Sequence, residues 1–304
     1  MTLPRSQISS LTHPFHIPFS LISALSGCPH RIIAGIFLSF ADKFQVVSPF
    51  QAILDYELSL DIPPGWVNHC ISRSAPHGFW HRLERGEMPM DSAWFSGFTS
   101  DLHNGSLWHS FYTTATQKDP SLPKTVPPLP TLDGELLFWR MMRQSRSPDP
   151  WMYPALKALK SSGKYILAAL SNTVIFPPDH PYSNTRSSPD DPRNFFDVFI
   201  SSAHVGLRKP DPKIYELALK ELDKFAREKR GWNDGVKAEE VLFLDDIGEN
   251  LKAGKKSGFQ TIKVNLGRAF EAVDQLEEVT GLNLAGDHPR IPVKPVVRKK
   301  VAKL

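Results

Sequence analysis

The sequence has 304 residues, of which 41% are hydrophobic and 22% charged, as in an ordinary soluble globular protein. Its formal charge of +4 is small and lies largely at the C-terminus, so we expect no nucleic-acid partner. Two cysteines, Cys28 and Cys70, provide neither a disulfide framework nor zinc-ligand spacing. No apolar run approaches the ~18 residues of a spanning helix, so we expect no membrane insertion.

The N-terminal 41 residues contain no Asp or Glu, several serines, and Arg5 and Arg31. This composition resembles a weak organellar transit segment, which would make a mitochondrial location an alternative. Residues 25–28 (LSGC) also resemble a bacterial lipoprotein cleavage box, although prolines interrupt the apolar stretch that such a signal needs. The other interpretation is a disordered or divergent extension, which we assign to residues 1–30.

The first predicted strand lies in residues 31–40, an apolar stretch with several β-branched residues that is followed by Asp42. Residues 48–148 differ in sequence pattern from the rest of the chain, with short helical patterns and many aromatic residues. Apolar side chains recur every three or four positions in residues 51–60 and 135–146, which predicts helices. The proline-rich segment 120–130 predicts a stiff connection. We therefore expect a mostly helical insertion at residues 48–148.

Strands and helices alternate regularly in residues 149–285. An amphipathic helix at 151–162 ends before Gly163, and Asp211 with Pro212 gives the N-cap and first-turn signals of another helix. A third helix is predicted from Asn250 to about Ser257, closed by Gly258. Apolar runs predict strands at residues 165–170, 196–200 and 241–244, and a final strand is predicted at residues 260–264. This alternation predicts an α/β fold with a parallel sheet, formed by residues 31–47 and 149–285.

Polar side chains follow the predicted strands at the points where the strands end. Ser171 and Asn172 follow one strand, Asp245 and Asp246 end another, and Lys209 precedes a predicted helix. In open α/β sheets ligands bind outside the carboxyl ends of the strands, so these groups would converge on one rim. Paired carboxylates are suitable ligands for Mg²⁺. An alternative is that Asp246 caps the following helix while Asp245 is solvated.

Three motifs carry a resemblance to a known family: residues 170–173 (LSNT), 206–215 (GLRKPDPKIY) and 243–252 (FLDDIGENLK). With residues 47–50 (VSPF), 82–87 (RLERGE) and 148–150 (PDP), they make residues 46–284 resemble the haloacid dehalogenase-like hydrolase superfamily. In particular, they resemble the branch containing the phosphatase domain of bifunctional epoxide hydrolases.

The resemblance implies a Rossmann-like core with a helical cap inserted after the first strand. It also implies Mg²⁺ bound by the acidic pair, with Asp42 as a possible further ligand, and a phosphoryl group held by Ser171 and Lys209 with help from Asn172. Asp42, Lys209 and Asp246 would be the catalytic residues. Positioning and charge neutralisation are the main requirements of phosphoryl transfer, and such a set would supply them.

The resemblance fails at the nucleophile, which in this superfamily is an Asp at the end of the first strand. Alignment without a gap from residues 46–50 places Phe40 at that position and Asp42 two residues later, in the position of the second acid. A two-residue slip would make Asp42 the nucleophile itself. Neither alignment restores the glycine that lets the chain turn closely around phosphate. The N-terminal part is thus either divergent or an incorrectly spliced gene model.

Two functions follow from this sequence. One is a Mg²⁺-dependent phosphatase that acts on a small phosphorylated substrate through an aspartyl-phosphate. The other is a catalytically impaired relative that still binds phosphate and metal. Dehalogenation is a third chemistry of the superfamily, but the metal-type pair Asp245-Asp246 favours phosphoryl transfer.

The C-terminal residues 286–304 form a basic tail that ends in Ala302-Lys303-Leu304. This ending differs by one residue from the Ser-Lys-Leu peroxisomal signal. It predicts recognition by a peroxisomal import receptor, the alternative being a cytoplasmic protein with a solvated tail.

Overall fold

The computed structural model describes residues 33–38, 49–145, 148–183 and 192–294. Within them one sheet contains five strands: β1 (Gly35–Leu38), β2 (Ile166–Ser171), β3 (Val198–Ser201), β4 (Val241–Asp245) and β5 (Gln260–Lys263). All neighbouring pairs are parallel and the order is β3-β2-β1-β4-β5. The predicted α/β fold with a parallel sheet is confirmed.

The central strands are apolar because the sheet is covered on both faces. Every residue of β1, β2 and β4 is buried. Strand β1 lies between β2 and β4, with Leu38 opposite Ala169 on one side and Leu244 on the other. Strand β1, the first strand along the chain, is therefore the central strand of the sheet.

Between β1 and the next core element the chain forms the helical region, which has its own hydrophobic core. Asp91, Asn104 and Asp133 each cap a helix by accepting a backbone N–H. The proline-rich segment contains neither helix nor strand, as predicted. The helices are α1 (Pro49–Ser59), α2 (Trp66–Arg73), α3 (Phe79–Glu84), α4 (Ser92–Leu102), α5 (Gly105–Lys118) and α6 (Gly134–Gln144).

Five further helices accompany the sheet: α7 (Met152–Ser162), α8 (Ser202–Val205), α9 (Pro212–Arg230), α10 (Gly248–Lys256) and α11 (Phe270–Thr280). Helices α7 and α11 bury apolar side chains on one face of the sheet, and α9 does so on the other. Gly163 ends α7 in the left-handed conformation, and the Asp211 carboxylate accepts the N–H of Lys213 at the start of α9. Both predicted helix boundaries are confirmed.

Two predicted boundaries differ from the structure by two residues. Strand β3 begins at Val198, because Phe196 packs in the hydrophobic layer and the Asp197 carboxylate accepts the N–H of Leu167. Helix α10 begins at Gly248 instead of Asn250. The apolar pattern of the sequence does not report contacts such as those of Phe196 and Asp197, and differences of one or two residues are usual at element ends.

Several predictions fall outside the described residues: the extension at 1–30, the positions of Phe40 and Asp42, and the end of the basic tail at 295–304. In the part of the chain that the structure does describe, no helix is both long enough and apolar enough to cross a bilayer.

Candidate active site

The candidate site lies at the carboxyl ends of the three central strands. Strand β2 ends at Ser171 and β4 ends at Asp245, on either side of β1, which ends at Leu38. Because all three strands are parallel, their ends form one rim. The polar residues that follow β2 and β4 thus flank the point where the chain leaves β1.

Lys209 connects the two sides of this rim. Its side chain is 1% exposed, and its Nζ donates to the carbonyl oxygen of Leu170 at 2.7 Å and to Asp245 Oδ2 at 2.9 Å. The ammonium also lies 5.5 Å from the centre of the Phe243 ring. A buried positive charge therefore bridges the ends of β2 and β4 beside the end of β1.

Asn172 holds the backbone of Lys209. Its Oδ1 accepts the Lys209 N–H at 2.8 Å, and its Nδ2 donates to the Lys209 carbonyl at 3.0 Å. The Asn172 side-chain amide thus pairs with both backbone polar groups of Lys209, as a neighbouring strand would, although the two residues are 37 positions apart. Asn172 therefore fixes the position from which the lysine side chain extends into the rim.

The two adjacent aspartates have different environments. Asp245 is 1% exposed. Its Oδ1 accepts the N–H of Ile247 and its Oδ2 accepts the Lys209 ammonium, while Asn250 Nδ2 contacts both oxygens. The alternative of a solvated Asp245 with Asp246 as helix cap is wrong, because Asp245 is buried and Ile247 occupies the cap position of α10.

Asp246 is half-buried beside this network. Desolvation and, second, the Asp245 charge raise the pKa of its carboxyl to about 6, although Lys209 partly opposes this shift. A carboxylate in this position would be stabilised by a nearby cation. The chemistry of this oxygen donor suits a hard divalent ion such as Mg²⁺.

Ser171 presents a buried hydroxyl at the end of β2. Its side chain is fully buried, and its Oγ has no hydrogen-bond partner among the described residues. Buried polar groups are normally paired, so an unpaired hydroxyl at the edge of a site indicates a place where a ligand or water can bind. This geometry fits the predicted role of Ser171 in binding a phosphoryl group.

Sequence reasoning did not assign a role to the hydroxyl groups that support this edge. Ser202 Oγ accepts the N–H of Thr173 and donates to its carbonyl, while Thr173 Oγ1 contacts Ser201 Oγ. Ser201 Oγ also contacts His204 Nδ1 at 2.7 Å. The position of Ser201-Ser202 at a strand end was a signal that could have found them.

An ion pair between the helical region and the core was also missed. Arg208 Nε and Nη2 both bind Glu84 Oε2, at 2.8 and 2.7 Å. Its partners are separated by 124 positions, so no local pattern could reveal it.

The structure thus brings together Ser171, Asn172, Lys209, Asp245 and Asp246 at one rim, as predicted. Asp42 lies outside the described residues, so its place at the rim stays a prediction. No group of three or more His, Cys, Asp or Glu side chains arranged to hold a metal ion occurs within residues 33–38, 49–145, 148–183 and 192–294.

Comparison with known proteins gives matches to parts of longer proteins. The chain is 27% identical over 259 residues to acyl-CoA dehydrogenase family member 10 of Mus musculus, covering 84% of this chain and 20% of that protein. It is 42% identical over 94 residues to bifunctional epoxide hydrolase 2 of Sus scrofa, covering 30% of this chain and 14% of that protein. The chain therefore spans about a fifth or less of the length of these curated relatives.

A haloacid dehalogenase family enzyme of Bacteroides thetaiotaomicron, solved in complex with magnesium and inorganic phosphate, aligns with 77% of this chain and 96% of its own. The identity is 13% and the TM-score is 0.40. Residues 128–258, which include Ser171, Lys209 and both aspartates, match the family model described as haloacid dehalogenase-like hydrolase. Over residues 128–258 the chain is similar to the haloacid dehalogenase-like hydrolases.

Proposed function

We propose that this protein is a Mg²⁺-dependent phosphatase that acts on a small phosphorylated substrate. The observation that carries the proposal is the buried Lys209 ammonium, held between the ends of β2 and β4 beside Asp246 and the unpaired Ser171 hydroxyl. Two acids, a cation and a free hydroxyl at one rim suit the binding of a phosphate dianion with a metal ion.

Each residue at the rim would have a separate task. Lys209 would neutralise charge on the phosphoryl oxygens, and the Ser171 hydroxyl would donate to one of them. Asn172, already bonded to the backbone of Lys209, would act mainly by fixing that lysine. We propose Asp246 as the Mg²⁺ ligand of the pair, together with Asp42, because both oxygens of Asp245 already have protein partners. The ion, when bound, would supply further neutralisation of phosphate charge.

The chemical steps would follow the covalent route of the superfamily. A carboxylate oxygen of Asp42 would attack phosphorus, the bond from phosphorus to the substrate oxygen would break, and that oxygen would take a proton from solvent water and leave as the alcohol. A second water would then attack the aspartyl-phosphate, which returns the Asp42 carboxylate and releases inorganic phosphate. The helical region, inserted just after β1, would cover the rim and select the substrate.

A second function has one specific observation in its favour. The ungapped alignment places Phe40, which cannot attack phosphorus, at the nucleophile position. A protein with this defect would keep Lys209 and Asp246 and bind phosphate and metal without turnover. Import into peroxisomes through Ala302-Lys303-Leu304 stays a prediction under either function.

Phosphate release from an aryl phosphate tests the proposal. We expect the native chain to turn over only with Mg²⁺, and the Asp246→Asn and Asp42→Asn variants to lose at least about 100-fold in kcat/KM. Asp211→Asn is a matched control, because this aspartate caps α9 through its side chain and an asparagine can do the same. Folded native protein that binds Mg²⁺ and inorganic phosphate without releasing phosphate would favour the binding function.

A further inference from the structure

The segment that carries Lys209 is held from two sides. On the core side, Asn172 binds the Lys209 backbone through its side-chain amide. On the other side, the preceding residue, Arg208, is bound by Glu84 at the end of α3 in the helical region. Adjacent residues of one short segment are thus anchored to different parts of the molecule.

The Glu84–Arg208 ion pair is largely shielded from water. The Glu84 side chain is 9% exposed and that of Arg208 is 20% exposed. Removing one member of such a pair leaves the other charge uncompensated in a poorly solvated place. The contact is therefore a strong positional constraint, in contrast to a mobile surface pair.

Within the described part of the chain, the nearby residues Arg85 and His81 do not compete for Glu84. Arg85 donates to Glu87 and to the carbonyl oxygen of Pro76, both in the helical region. His81 is buried, and burial together with the charges of Arg208 and Arg85 lowers the pKa of its ring to about 4. His81 is thus neutral at neutral pH, which leaves Arg208 as the cation that binds Glu84.

A backbone contact reinforces the ion pair. Gly86 has a φ of +64°, and a Cβ at this position would lie 2.1 Å from the carbonyl oxygen of Ala203. Ala203 belongs to α8, which leads directly into the Arg208 segment. Residues 84–86 therefore contact the core at both ends of the stretch 203–208.

We propose that Glu84 is a positioning residue: through Arg208 it fixes the segment that carries Lys209 and couples the helical region to the phosphoryl site. This inference rests on the proposed function for its effect on turnover. Movement of α3 relative to α8 would shift Arg208, and the shift would pass to the adjacent Lys209 backbone. An error of about 1 Å in the position of a catalytic charge can cost on the order of 100-fold in rate.

Glu84→Gln tests the proposal, with Glu87→Gln as matched control. Both changes remove one carboxylate charge from the same turn, but Glu87 pairs with Arg85 inside the helical region. We expect Glu84→Gln to lower kcat by about 10-fold or more with KM changed by less than about 3-fold, because the lysine is displaced mainly from its transition-state position. Glu87→Gln should leave both constants near their native values.

Hydrogen exchange gives a second measurement that does not depend on turnover. The Lys209 amide, which donates to Asn172 Oδ1 at 2.8 Å, should exchange at least about 10-fold faster in Glu84→Gln and at the native rate in Glu87→Gln. The charge-swapped double variant Glu84→Arg with Arg208→Glu should recover slow exchange and part of kcat. A merely structural contact would not give this recovery together with an unchanged KM.

The two proposals fail in distinguishable ways. If the native protein releases no phosphate, the proposed function fails, and exchange of the Lys209 amide still decides the role of Glu84. Native exchange in Glu84→Gln, or equal acceleration in Glu87→Gln, would overturn the positioning role. Native kcat in Glu84→Gln with an active native enzyme would overturn it as well.

Discussion

Lys209 illustrates how a buried charge is accommodated at the scale of one residue. Taking an ammonium out of water is costly, and the cost is offset here by the Asp245 carboxylate and the Leu170 carbonyl oxygen. Asp245 in turn depends on Lys209, Asn250 and the N–H of Ile247. Removing either Lys209 or Asp245 would therefore leave the other charge buried without its counter-charge.

Replacing Lys209 by methionine should both abolish turnover and destabilise the fold. The variant leaves Asp245 buried without its cation, so we expect the free energy of unfolding to fall by about 3 kcal/mol. Urea denaturation measures this change. Lys252→Met is the control, because Lys252 also pairs with a carboxylate, but both side chains of its pair with Glu249 are 70% exposed. Native stability in Lys209→Met would show that Lys209 and Asp245 do not form a buried pair.

The double variant Lys209→Met with Asp245→Asn separates charge from packing. Asparagine removes the uncompensated charge while keeping a side chain that can bind Asn250 and the N–H of Ile247. We expect it to recover part of the stability lost in the single variant, with no recovery of turnover. If the double variant is less stable than the single one, the stability lost in Lys209→Met comes from altered packing around Phe243 and not from the unpaired charge.

At the scale of elements, a carboxylate from one helix caps another helix in the helical region. Glu57, on α1, is 1% exposed, and its oxygens accept the N–H groups of Gly65 and Val67 at the start of α2. Desolvation raises the pKa of this carboxyl to about 7, although both N–H contacts act to lower it. Burial therefore outweighs the favourable backbone hydrogen bonds at the start of α2.

The raised pKa of Glu57 predicts a specific dependence of stability on pH. The folded state holds the proton more tightly than the unfolded state, whose pKa is near 4.5, so this contribution is present below pH 4.5 and is lost as pH rises to about 7. Relative to Glu57→Gln, the native protein should lose roughly 3 kcal/mol of unfolding free energy across this window. Urea titrations of both proteins at several pH values measure the difference.

Glu277 provides a control of opposite sign. It also accepts two backbone N–H groups, those of Leu284 and Ala285, but here these bonds dominate and lower the pKa of the carboxyl. Relative to Glu277→Gln, the native protein should not lose stability between pH 4.5 and 7. A flat difference between native protein and Glu57→Gln over the same window would contradict the raised pKa of Glu57.

At the scale of the whole molecule, local patterns account for much of the fold. Apolar runs of four to six residues and the signals at Gly163, Asp211 and Pro212 suffice to predict the strands and helix ends, because each depends on a few neighbouring residues. Ser171, Lys209 and Asp245 could be predicted to share a rim, since parallel strands end on the same side.

Contacts between distant segments could not be derived in the same way. The Glu84–Arg208 pair, the grip of Asn172 on the Lys209 backbone and the burial of Asp245 depend on which segments the folded chain brings together. Each involves polar groups that sequence alone would predict to be exposed at the surface. Tertiary packing decides these environments, and periodicity carries no information about them.

The contact between Gly86 of the helical region and Ala203 of the core gives a prediction about the whole molecule. Gly86 and Gly163 both have a φ of +64°, so alanine at either position pays the cost of a left-handed conformation, roughly 1 kcal/mol. The surroundings differ. A Cβ at Gly163 meets no atom within 4 Å, whereas at Gly86 it would overlap the backbone carbonyl of Ala203 in α8. This oxygen cannot move aside without moving the helix.

Gly86→Ala should therefore lower the free energy of unfolding by about 2 kcal/mol more than Gly163→Ala, because the helical region must shift away from α8 to accept one methyl group. Thermal and urea unfolding of the two variants beside the native protein measure the difference. Since the backbone strain is common to both variants, subtraction leaves only the contact with Ala203. Equal losses in the two variants would mean that residues 84–86 are not seated on the core, and the route from Glu84 to Lys209 would lose its structural basis.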